Sequence, residues 1–103
     1  MFNAIQQGIF LGKSCVGCHG TSTTAAANLD LKEGVSYKNL VNRPSVIMPE
    51  WMRVNPGNSD ESMLYQILSS PISKEWGHDH SRDIESSITL DMLKDWIDSG
   101  AKE

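Results

Sequence analysis

Two thiols and an imidazole stand together near the start of the chain, in Cys15-Val16-Gly17-Cys18-His19. Cys-x-x-Cys-His is the spacing at which a chain attaches a c-type haem. Residues three or four apart share a helix face, so Cys15 and Cys18 can both meet the vinyl groups along one porphyrin edge. His19, directly after Cys18, can swing beneath the ring and offer a neutral nitrogen to iron. Both thiols would be consumed as thioethers, and with 2 cysteines in the chain none is left for a disulfide.

Other chemistries compete for these residues. A redox dithiol of the thioredoxin kind follows a strand and opens a helix within βαβ patterning. Here the residues before Cys15 carry a helical period, and no strand-helix alternation follows. Zinc needs two further ligands, which His78 and His80 could supply. Their His-x-His spacing, so far from the thiols, fits no common zinc module. A zinc-stabilised interaction module stays as the outlying alternative, beside two incidental cysteines.

The elements that would position these groups can be read in order. Asn3 to about Cys18 is predicted as a helix, with Asn3 as N-cap and Ile5, Ile9, Phe10 and Leu11 on its apolar face. Gly8 and Gly12 weaken it in isolation and mark where another helix could approach. Residues 20–28 are small and polar, a loop, with Leu29, Leu31 and Val35 as anchors behind it. Ser36 is the predicted cap of a short helix over Tyr37 to Asn42, stopped by Arg43-Pro44. Ser45 to Val54 lacks a clean period and reads as an extended loop, not as a strand pair.

Pro56-Gly57 is a turn. Asn58 with Glu61 resembles a capping box opening a helix to about Ser69, ended by Pro71. Pro71 to Ser87 is the longest stretch without periodicity and holds Trp76, Gly77, His78, Asp79 and His80. A loop this long in a small domain is functional or disordered, and its histidines and tryptophan favour function. The last helix has Thr89 as predicted N-cap, Asp91 in its first turn, Leu90, Leu93, Trp96 and Ile97 as its stripe, and Gly100 past its end.

Composition bounds the whole. At 103 residues one domain with a modest core is expected, spanning residues 1–103, and a covalent cofactor would give it a larger body to fold around. The net charge of −4, without a basic cluster, argues against nucleic acid. No apolar run reaches membrane-spanning length. The start carries no export signal; a c-type haem implies export, so on that reading the chain is a mature or excised domain of an exported protein.

The chain resembles the monohaem c-type cytochromes, and most closely their short bacterial domains. The resemblance rests on Cys15-Val16-Gly17-Cys18-His19, on Trp96-Ile97-Asp98-Ser99-Gly100-Ala101, and on Leu40-Val41-Asn42, Pro44-Ser45, Arg53-Val54-Asn55-Pro56-Gly57 and Ser62-Met63-Leu64 between them. It implies an all-α, cytochrome c-like fold of about four short helices and long loops around one covalent haem c. In it the first and last helices cross, with Leu11 or Phe10 on Trp96 near Gly8. It also implies a periplasmic or extracellular setting, since haem is attached outside the bacterial cytoplasm. Arg53 becomes a candidate partner for a haem propionate, and Trp51 and Trp76 candidate walls of the haem pocket.

One departure matters. Such domains usually place a methionine on the second face of iron, in a Gly-x-x-Met-Pro stretch before the last helix. This chain has no methionine between Met63 and Met92, and Gly77-His78-Asp79-His80 stands at the corresponding place. Counting from the glycine puts His80 where the methionine belongs. The expected ligands are therefore His19 and His80, with His78 if the loop is shifted, and Met48 or Met52 as remote candidates. A methionine in such a loop more often fills a packing gap.

The expected function is electron transfer by a low-spin, bis-histidine haem, with no enzymatic activity. The alternative is an open-coordination haem domain, a small peroxidase or gas sensor. A monomer is expected, meeting a redox protein with a basic docking face. Asp79, Asp83 and Glu85 would contribute to that contact.

Overall fold

The computed structural model of the chain describes residues 2–11, 29, 31–45, 48–71, 80–83 and 87–103. Among them, α1 (Phe2–Ile5) runs on as a π-helical stretch (Gln6–Leu11) and is followed by α2 (Ser36–Leu40). A 3₁₀ turn (Ser59–Glu61), α3 (Met63–Ser69), a second 3₁₀ turn (His80–Asp83) and α4 (Ser87–Asp98) complete the order. Extended pairing among the described residues is limited to isolated bridges, Val41 to Val54, Pro44 to Met52 and Met52 to Ser62. The described residues are thus all-α, as the sequence predicts.

Phe2, Ile5, Ile9 and Phe10 are buried, which is the apolar face of the first helix. Asn3 is not its N-cap: Phe2 is already helical and Asn3 is exposed in the first turn. The helix begins there because the Phe2 ring is held between Trp96, at 5.1 Å, and Tyr37, at 5.2 Å. Phe2 is thus a ring that meets Trp96; Phe10, 6.3 Å from Phe2, belongs to the same buried cluster as Trp96, and the Leu11 side chain lies outside the described residues. Gly8, a weak α-former, sits within the widened π stretch, and a Cβ there would lie 3.8 Å from Met92 Cε of α4.

A buried polar clamp fixes this first helix. Gln6 is 2% exposed and Ser36 0%, so each needs a partner. Gln6 Nε2 donates to the Leu31 carbonyl at 3.0 Å, and Ser36 Oγ donates to Gln6 Oε1. Ser36 therefore does not cap α2; Val35 holds that position without a side-chain bond. α2 also ends sooner than predicted, at Leu40, because Val41 turns extended and Asn42 takes φ 59°.

The segment 51–54 is threaded between two neighbours. Ser45 N donates to Trp51 O (2.8 Å), Arg53 N to Arg43 O (2.6 Å) and Val54 N to Leu40 O (3.1 Å) on one side. Met63 N to Met52 O and Leu64 N to Arg53 O, both 2.9 Å, hold the other. Pairing stays at single bridges, in line with an extended loop.

Asn58 Oδ1 accepts from Glu61 N at 3.2 Å, but it caps the 3₁₀ turn and not α3. Ser62 breaks the predicted single helix, at φ −100° and ψ 118°. Its hydroxyl accepts from Asn55 N and donates to Asn58 O, both at 2.8 Å, a tie that outweighs helical continuation. α3 then buries Met63, Leu64 and Leu68. Ser70 is extended ahead of Pro71, which ends the helix as the proline requires.

α4 starts at Ser87, so Thr89 lies inside its first turn and Asp91 beyond it. Both added residues, Ser87 and Ile88, are exposed. Leu93, Trp96 and Ile97 are buried as predicted. Gly100 takes φ 116°, and the N–H groups of Gly100 and Ala101 return to the Ile97 and Trp96 carbonyls at 3.0 and 2.9 Å. These bonds satisfy carbonyls that a helix end leaves orphaned. Gly57, at φ 87° behind Pro56 as a type II turn requires, sends its N–H to Ile97 O as well, at 2.7 Å. Trp96 Nε1 donates to Lys102 O and the Tyr37 hydroxyl to Ala101 O, both at 2.8 Å.

No helix among the described residues is long and apolar enough to cross a membrane.

Candidate functional site

Cys15, Cys18, His19, Trp76 and His78 lie outside the described residues. Met48, Trp51, Met52, Arg53 and His80 lie within them. Two supports hold these five. The threaded segment 51–54 carries Trp51, Met52 and Arg53 side by side, and Trp51 N donates to Met48 O at 2.9 Å. His80, half-buried, opens the 3₁₀ turn that packs beside α3. α3 is the common brace, since its first two N–H groups bond to Met52 and Arg53 and its body meets the His80 turn.

Arg53 is half-buried, and its Nη1 donates to the Asn39 carbonyl at 2.8 Å. Burial first, then the charge of Arg43, hold its guanidinium below the ordinary arginine value. A guanidinium stays protonated regardless. The effect therefore reads as a partly desolvated positive charge, which an anionic group nearby would stabilise.

Met52 is 40% exposed. With half-buried Trp51 it lines an open cleft of about 480 Å³ whose other walls are Asn42, Glu50, Asn55 and Glu61. The cleft was not legible in the sequence, because its walls among the described residues come from four separated points of the chain. The clamp between Gln6 and Ser36, 30 residues apart, was equally hidden. Its one visible signal was a glutamine inside the apolar face of the first helix.

Among the described residues no three His, Cys, Asp or Glu side chains gather as a metal group. No known protein family, curated protein or solved structure matches this chain.

Proposed function

We propose that this chain is an electron carrier with one covalently attached haem c on a cytochrome c-like fold. The observation that carries the reading is Cys15-Val16-Gly17-Cys18-His19. The donor set suits that group: two thiols for thioethers, an imidazole for iron, and in Arg53 a partly desolvated cation for a propionate. When bound, the haem supplies a one-electron ferric–ferrous couple.

The chain's own residues would do the rest. Cys15 and Cys18 would anchor the group as thioethers, and His19 and His80, the latter on a turn braced on α3, would supply nitrogen ligands to its iron. Methionine ligation raises a cytochrome's potential, so histidine in its place gives a lower-potential carrier. Trp76 would close the pocket wall. An acidic chain of net charge −4 suits a redox partner with a basic docking face, in a contact that salt weakens. Haem attachment places the working protein outside the bacterial cytoplasm.

The test is the visible and near-infrared spectrum of the wild type, His80→Ala and His78→Ala. A low-spin spectrum without the methionine-to-iron band, lost in His80→Ala and kept in His78→Ala, is expected. If neither substitution disturbs the low-spin state, bis-histidine ligation is wrong. A high-spin wild type that binds carbon monoxide rapidly would point to the open-coordination alternative.

A further inference from the structure

We infer that the cleft beside Trp51 is the seat of an arginine side chain presented by a protein partner. This deepens the electron-transfer reading and rests on it only for the partner's role. Asn42, Glu50, Trp51, Met52, Asn55 and Glu61 line a space of about 480 Å³. That volume falls in the range of organic ligand sites, about 300–1,000 Å³, and is far more than a bare ion fills.

The chemistry of the walls selects the occupant. Among the described residues two carboxylates, two carboxamides, an indole and a thioether line the cleft, and no cation does. Among the described residues no hydrogen bond or ion pair engages the side chains of Asn42, Glu50, Asn55 or Glu61, or the indole N–H of Trp51. These groups are open to a ligand. A guanidinium uses them together: its plane stacks on an indole, its fork meets carboxylates, and its remaining N–H groups reach carboxamide oxygens. An ammonium is a compact point charge and matches the first two less well.

The backbone under five of these walls is also held in place. Asn42 N donates to Val54 O at 3.0 Å, Trp51 N to Met48 O at 2.9 Å, Asn55 N to Ser62 Oγ at 2.8 Å and Glu61 N to Asn58 Oδ1 at 3.2 Å. Met52 O accepts from Met63 N at 2.9 Å. A backbone already held in place leaves only side chains to be ordered on binding. Since Trp51 and Met52 adjoin Arg53 on one threaded segment, the cleft would tie a basic partner to the segment that carries the proposed propionate contact.

The test is a nuclear magnetic resonance titration of the protein as purified with the blocked peptide acetyl-Gly-Arg-Gly-amide. The citrulline peptide serves as its neutral isostere, and the lysine peptide as its compact cation. The arginine peptide is expected to shift the Trp51 indole N–H and the Asn42 and Asn55 carboxamides most, lysine less, and citrulline not at all. Glu50→Gln with Glu61→Gln should weaken binding about five- to tenfold, the size expected for two exposed charge pairs. Asp91→Asn with Asp95→Asn, the same charge change on the exposed face of α4, should weaken it less than about twofold. Equal losses in the two double variants, or largest shifts away from the cleft, overturn the inference. The haem spectrum is read separately, so a chain that binds the peptide but carries no haem overturns the electron-transfer reading and leaves the cleft standing.

Discussion

Ser36→Ala removes one hydroxyl from the interior and should cost far more than a surface serine. Ser36 is fully buried, and its Oγ is the donor that satisfies Gln6 Oε1. Without it that carbonyl oxygen stays buried and unpaired, because the amide cannot turn towards another donor without breaking its Nε2 bond to Leu31 O, 3.0 Å long. An unsatisfied buried acceptor costs about 1–3 kcal/mol, equivalent to roughly 5–15 °C in Tm for a domain this size. Gln6→Leu alone should cost a similar amount, because it orphans both Leu31 O and Ser36 Oγ. The double variant Gln6→Leu/Ser36→Ala removes both members of the pair and leaves only Leu31 O unpaired. Its loss should fall short of the summed single losses by about 1 kcal/mol. Urea unfolding followed by circular dichroism measures all three. A Ser36→Ala loss below about 0.5 kcal/mol, typical of a surface change, or strict additivity in the cycle, would refute the clamp. In sequence, Gln6 precedes Cys15, the first thiol of the proposed haem site.

Two further outcomes follow from the same structure. Gly8→Ala should stabilise by about 0.5–1 kcal/mol through helix propensity, since among the described residues the added Cβ meets the flexible end of Met92 alone, at 3.8 Å; a lower Tm would mean a tighter helix contact than this. Asp98 accepts from Lys94 Nζ at 2.7 Å and from Ser59 N at 2.8 Å, and these bonds, Lys94's first, hold its carboxyl below the ordinary aspartate value. Its contribution is therefore full above the ordinary aspartate range and disappears as pH falls through the lower folded value. Asp98→Asn should flatten the acid limb of a Tm-against-pH curve, and an unchanged limb would count against the ion pair.

The features legible in the sequence are those whose causes are local. The stripe of α4 repeats at helical spacing, and Gly100 and Gly57 occupy positions of positive φ that favour glycine. Asn58 was readable as a cap because its partner, the Glu61 N–H, is three residues away. The other cap predictions fail through tertiary competition or register. Ser36 spends its hydroxyl on Gln6, Asn3 is overtaken by the burial of Phe2, and Thr89 falls inside a helix that starts at Ser87. Ser62 stops the helix from Asn58 by bonding back across its own turn. Position-by-position signals carry none of this, because hydroxyls serve the nearest buried partner and not the nearest helix end. The cleft of Asn42, Glu50, Asn55 and Glu61 is hidden for the same reason: threading of residues 51–54 between α2 and α3 gathers it. The five consecutive residues from Cys15 to His19, on which the proposed haem attachment rests, lie outside the described residues.

Covalent haem attachment is read most directly from the mass of the acid-denatured protein, purified from a host that exports it and attaches haem. A chain heavier by one haem is expected, with that increment absent when Cys15 and Cys18 are both replaced by alanine. A wild-type chain at its bare polypeptide mass would contradict that attachment.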